Sequence, residues 1–106
     1  MKYAIVMTTT DKRKIAEAIA TILIGKKLAA CIQVFNVGST YWWKGKVAKS
    51  TEFMLLIKSK ASDYRKIEKE IMAEHDYEVP EIIQIPIAQG SKRYLNWIAK
   101  ATKETK

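Results

Sequence analysis

STYWWKGKVAKSTEFMLLIKS, residues 39–59, is the stretch that decides the fold. Lys44-Gly45 reads as a turn. One arm of the turn runs back from Trp43 through LAACIQVFNV (28–37) to Leu28. The other contains EFMLLIKS (52–59). Two strands therefore follow one another directly. Upstream, YAIVMT (3–8) is a near-continuous apolar run of strand length, as expected for a strand covered on both faces. Thr10 or Asp11 is placed to cap the helix that follows, whose apolar residues Ile15, Ile19, Ile22 and Leu23 recur at helical spacing. Gly25 is expected to stop it. Downstream, Ser62 is placed to cap a second helix with the stripe Tyr64, Ile67, Ile71 and His75, closed by Pro80. EIIQIPI (81–87) makes a fourth strand, and Pro86 assigns it to an edge or to a strand end. Ser91 opens a final helix carrying Tyr94, Trp97, Ile98 and Ala101 on one side.

The order is β-α-β-β-α-β plus a C-terminal helix. Two split βαβ units of this kind give an α+β, ferredoxin-like plait with a long central hairpin. Right-handed crossovers place both main helices on one face of a four-stranded antiparallel sheet.

Two features suit this arrangement badly as a lone chain. The strands are apolar on both sides: Phe53, Leu55 and Ile57 alternate with Met54 and Leu56. Helices cover only one face, so the other calls for a partner surface. The hairpin is also long. An arm from Leu28 to Trp43 would span about 50 Å at roughly 3.3 Å per residue, against a radius of gyration of about 13 Å for a compact domain of this size. The distal part must project, bend back or break at Gly38. Tyr41, Trp42 and Trp43 on that tip are expected to pack on another copy of the chain. A ligand-binding aromatic platform and a self-packed tip are the alternatives.

Composition narrows the partners. The 106 residues, 48% hydrophobic and 28% charged, suit a single globular domain over 1–106. No apolar run approaches the roughly 20 residues of a membrane helix, and MKYAIVMTTT lacks the form of a signal peptide. Cys31 is the only cysteine. It allows no intramolecular disulfide or multi-cysteine zinc site, and it fits a reducing cytoplasm. The net charge is +8, but basic residues are spread along the chain and mixed with acids. Only KRK at 12–14 is a local basic run. The central strand EFMLLIKS also lacks the basic-glycine-aromatic pattern of RNA-recognition domains. A solvated lysine-rich surface accounts for the charge better than nucleic acid does.

Chain direction locates a candidate site. The upper end of the plait gathers Thr8, Thr9 and Thr10, the start of the first helix, and the link from His75 to Pro80. The hairpin leaves from the same end. Cys31, near the start of strand two, lies toward the other end, so a metal shared with His75 would have to bridge subunits. His75 closes the apolar stripe of its helix. One role is structural, in the last turn, orienting Tyr77. The other is as a metal ligand with Asp76, Glu78 or a neighbouring subunit. No serine or cysteine is linked to it by a catalytic motif, and nothing marks an enzyme. Cys31 among Ala30 and Ile32 reads as a small buried hydrophobe. The threonine run caps the first helix or, with Lys12 and Arg13, receives an anion.

KLAACIQV (27–34), STYWWKGKV (39–47), EFMLLIKS (52–59), HDYEVPEIIQIPI (75–87) and YLNWI (94–98), with the opening VMTTT, resemble the CutA family in order and along the whole chain. That family often has proline where this chain has Asp76 and Asn36. The resemblance implies a cytoplasmic homotrimer of ferredoxin-like subunits, with sheets packed inside and the hairpins engaging neighbours. It also implies a role in tolerance of divalent cations. Copper or a similar ion would be weakly bound at His75 and Cys31, with Glu78 as a further ligand. An alternative reading is similarity to the PII signal proteins. It gives intersubunit clefts near Thr8, Thr9, Thr10, Tyr77 and Glu78 that bind a small effector and signal to a protein partner.

Overall fold

A computed structural model of the chain describes residues 2–103; residues 1 and 104–106, the ends of the expected domain, lie outside the described residues. Strand β1 (Tyr3–Thr10) is followed by helix α1 (Arg13–Gly25). Strands β2 (Cys31–Trp43) and β3 (Lys46–Lys60) form the hairpin. Helix α2 (Tyr64–Glu74), strand β4 (Ile82–Pro86) and helix α3 (Lys92–Ala101) complete the order. The sheet runs β2-β3-β1-β4 with every neighbouring pair antiparallel. This is the mixed α+β, ferredoxin-like arrangement expected from the sequence. Pro86 ends β4, and β4 is an edge strand, so the missing amide costs the sheet nothing.

The core lies between the sheet and α1 and α2. Val6, Ile19, Leu23, Leu55, Ile57, Ile67 and Ile71 are essentially fully buried there. Fully burying an aliphatic side chain contributes about 1.5–3 kcal/mol, so this cluster is the main stabiliser of the fold. Register assigns the opposite face. Met7 pairs with Leu56 and Ile83, Ile5 with Lys58 and Ile85, and Gln33 with Leu56. Phe35, Ile83 and Ile85 on that face are each close to 45% exposed. Helix α3 packs against β3, where the Lys60 ammonium donates to the Thr102 carbonyl. Ile98 is buried outside the main cluster, while Tyr94 and Trp97 stay half exposed.

The turns depart from the sequence reading in three places. Lys12 occupies the cap position of α1 without a side-chain bond, and the Thr10 hydroxyl accepts the Lys12 amide instead. The third threonine is still strand, paired with Phe53, so the helix cannot begin on it or on Asp11. Ser62 sits inside a short 3-10 turn, Ala61–Asp63, and Asp63 precedes α2. Gly25 is the last residue of α1. The left-handed residue is Lys27 (φ 58°), with Leu28 donating to the Leu23 carbonyl and Lys27 to that of Ile24. Those two bonds close a Schellman motif around a lysine. Ser91 does cap α3, its hydroxyl accepting the Tyr94 amide at 3.2 Å.

At the hairpin tip Lys44 (φ 52°) and Gly45 (φ 78°) form a two-residue turn flanked by the pair Trp43 and Lys46. Positive φ at both positions is the type I′ geometry that matches strand twist. The strand is unbroken at Gly38, which pairs with Thr51. Thirteen residues of β2 therefore reach about 43 Å, in line with a longest molecular dimension of 45 Å.

Candidate functional site

The upper end is built from three segments. β1 ends there at Thr9 and Thr10, the link 75–81 crosses from α2 to β4, and the hairpin passes on beyond β1. After Thr10 pairs with Phe53, β3 has no β1 residue beside it. Glu52 is the first residue past that point.

His75 caps α2, its amide donating to the Ile71 carbonyl at 2.9 Å. Its side chain is 1% exposed. Nε2 lies 2.6 Å from the Thr9 carbonyl oxygen, and the Tyr77 amide lies 3.2 Å from Nδ1. A carbonyl only accepts and an amide only donates. The ring is therefore the neutral Nε2–H tautomer, with both nitrogens engaged. It ties the end of β1 to the link and turns the chain toward Tyr77, whose ring meets the imidazole edge-on at 4.6 Å.

The Tyr77 hydroxyl then donates to Glu52 Oε2 at 2.8 Å. Burial, and next the Glu52 carboxylate, push the Tyr77 hydroxyl above the ordinary tyrosine value. Glu52 is only 5% exposed. On the outer side of the link, Lys12 bridges Asp11 (3.1 Å) and Asp76 (2.7 Å), which raises the lysine and lowers Asp76. These groups are solvated and contribute little to stability.

Between the link and the distal hairpin lies a cleft of about 730 Å³. Thr9, Glu52 and Tyr77 line its inner part, Tyr41 and Trp43 its hairpin side, and Glu78 and Glu81 the link side. Of the threonine run, only Thr9 reaches it. Thr8 and Thr10 are fully buried on the helix-covered face. Tyr41 and Trp43 are about 40% exposed, and Trp42, on the other face of the strand, is 75% exposed.

Cys31 lies elsewhere. It pairs with Lys58, and Lys58 pairs with Ile5, whereas His75 bonds to Thr9. Four residues of β1 separate the two levels, about 13 Å. Glu78 is exposed on the link. Among the described residues no group of three or more histidine, cysteine, aspartate or glutamate side chains could hold a metal ion. The described donors of one chain thus do not make a complete metal site. Glu52 escaped the sequence reading. Its signal is a lone acid at the head of an apolar run, on the same strand face as Met54 and Leu56.

Residues 4–101 match the family of the CutA1 divalent ion tolerance protein. The chain belongs to that family. Solved CutA structures share its fold, while the chain spans only 54–69% of the curated plant and animal relatives. The divalent-cation tolerance protein CutA of Archaeoglobus fulgidus is 42% identical over 83 residues, 78% of this chain and 81% of that protein. The protein of the same name from Thermus thermophilus is 35% identical, covering 92% of this chain and 96% of its own. A solved structure, the periplasmic divalent cation tolerance protein CutA from Archaeoglobus fulgidus, superimposes with a TM-score of 0.92 at 36% identity, covering 95% and 99% of the two chains. The PII-like alternative is not favoured beside CutA matches of this extent. No helix among the described residues is long and apolar enough to cross a membrane.

Proposed function

We propose that the chain is a subunit of a cytoplasmic homotrimer that contributes to divalent-cation tolerance by binding copper or a similar ion weakly, and that it is not an enzyme. The observation that carries this reading is an incomplete donor set on a chain with an uncovered apolar face. Among the described residues, a single subunit brings together too few ligands for an ion. A second subunit on the sheet face of Met7, Leu56, Ile83 and Ile85 would bury apolar surface and supply further donors. Tyr41, Trp42 and Trp43 are the hairpin contacts in this assembly. Glu78 and Cys31 are the accessible ligands. His75 joins them only if its ring releases the Tyr77 amide, because Nδ1 has no other lone pair to offer. Binding that requires this release is weak by construction.

Calorimetric titration of the assembled protein with Cu²⁺ tests the reading. Up to one weakly bound ion per chain is expected, because a trimer has three equivalent subunit boundaries, with binding lost when the assembly is diluted to monomers. Glu78→Gln is expected to weaken it. Tight one-to-one binding by the monomer would overturn the intersubunit site. An unchanged titration in His75→Ala would remove the histidine from it.

A further inference from the structure

Two patches of opposite sign lie at opposite ends of the sheet. The cleft beside the link is lined by Glu52, Glu78 and Glu81, with no lysine, arginine or histidine among its described lining residues. Glu78 and Glu81 are exposed, and neither enters an ion pair among the described residues. The cations of this end are engaged elsewhere. Lys12 is held by Asp11 and Asp76, and Arg13 lies 5.0 Å over the Phe53 ring.

Helix α3 is the reverse. Residues 91–103 contain Lys92, Arg93, Lys100 and Lys103 and no acid. Ile98 and Thr102 are buried beneath the helix. Arg93, Asn96 and Lys100 recur at three- and four-residue spacing on the opposite, exposed side. With Trp97 and Lys103 they line a shallow groove. None of these cations has an ion-pair partner among the described residues.

The two patches cannot meet within one chain. Lys60 has the strand parity of Leu56 and Lys58, so the Thr102 carbonyl that it bonds places the end of α3 on the open face of the sheet. Tyr3 pairs with Lys60 at that level, whereas Thr9 lines the cleft. Six residues of β1 separate the two, about 20 Å. A second copy has no such limit. Patches that differ, lie apart and complement each other suit a head-to-tail contact, and such contacts close into rings.

We propose that the cleft of one chain receives helix α3 of the next, with Arg93 and Lys100 of the partner subunit set against Glu78 and Glu81. Tyr41 and Trp43 on the cleft wall offer π-faces to the same cations. Val79 on the link is 70% exposed and Trp97 on α3 is 45% exposed, and the contact buries both. A small cation would satisfy the cleft alone, whereas a second copy satisfies both patches at once. The inference rests on the homotrimer reading above and names the two surfaces that each boundary joins.

Sedimentation equilibrium at fixed ionic strength tests it. The parent is compared with two charge-reversed variants, E78K/E81K and R93E/K100E, and with the variant carrying all four changes. The four side chains are exposed, and circular dichroism checks each fold. Either reversal sets like charges against each other and is expected to raise the dissociation midpoint about tenfold or more in concentration. Added salt is expected to weaken the parent and to strengthen the reversed variants. The fourfold variant restores opposite charges at the parent's net charge, and association close to the parent's is expected. A trimeric parent whose reversed variants associate as tightly overturns this inference and leaves the assembly reading standing. So does a fourfold variant no tighter than either reversed pair. A parent that sediments as a single chain overturns both.

Discussion

The two ends of β3 differ both in sequence and in what covers them. Around residues 53–59 the strand lies between β1 and β2 with α1 and α2 above it, and Leu55 and Ile57 are fully buried. Around residues 46–51 its one neighbour is β2, and Val47 is 56% exposed beside Trp42 at 75%. The first stretch, FMLLIKS, is mostly apolar and the second, KVAKST, mostly polar, yet none of the apolar residues of the second is buried either. Burial follows from whether β1 and the helices reach that far, and they stop at Thr10 and Phe53. One end of the hairpin therefore stabilises the subunit. The other presents apolar and aromatic surface that the subunit does not use. Glu52 and Tyr77 sit at the boundary.

Leu55→Ala attacks the packed end. It is expected to cost about 2–5 kcal/mol by transfer and cavity terms, measured by urea denaturation. Trp42→Ala attacks the exposed end and is expected to change the folding stability of the dissociated chain by less than about 0.5 kcal/mol. Equal costs for the two would break the distinction.

At the boundary, His75→Ala leaves the Thr9 carbonyl and the Tyr77 amide without their partner. A loss of about 1–3 kcal/mol is expected, together with faster hydrogen exchange at the Tyr77 amide. Tyr77→Phe leaves Glu52 without its donor and is expected to cost about 1 kcal/mol at neutral pH. It also has a pH signature. A tyrosine whose folded value is raised contributes stability that is present below its ordinary value of 10.0 and is lost as pH rises through the folded value. Stability should fall above about pH 10 in the parent, and less steeply in Tyr77→Phe. Tyr64, pushed up to about 12 chiefly by its bond to Glu68, adds the same sign, so some alkaline decline remains. A backbone effect is expected at the tip. Gly45→Ala places a Cβ at φ 78° and is expected to cost about 1 kcal/mol, without altering the core.

Much of this was legible in the sequence because it depends on period and chain direction. Alternation in EFMLLIKS assigned the two sheet faces, and helical spacing put Ile67, Ile71 and His75 on one stripe. The Lys44-Gly45 turn followed from two β-rich arms closing on a glycine. Direction alone brought Thr9 and the His75–Pro80 link to one end and left Cys31 at the other. Cap positions were not legible. A threonine can continue a strand or start a helix, and β1 kept Thr10 because Phe53 was available to pair with it. Gly25 looked like a stop, yet the left-handed position fell two residues later on Lys27, where the bonds to Leu23 and Ile24 close. The engagement of both His75 nitrogens, and the withdrawal of Glu52 from water, depend on contacts between segments distant in sequence. The first leaves no local pattern, and the second leaves only a lone acid at the head of an apolar run.

The central claim is that the surface left uncovered on the sheet face and distal hairpin is an assembly surface. Sedimentation equilibrium of the full chain tests it most directly, run beside a variant carrying Trp42→Ala and Ile83→Lys. The account predicts three chain masses for the parent and a shift toward one for the variant, with the far-ultraviolet spectrum unchanged. A parent that sediments as a single chain across micromolar concentrations would contradict it.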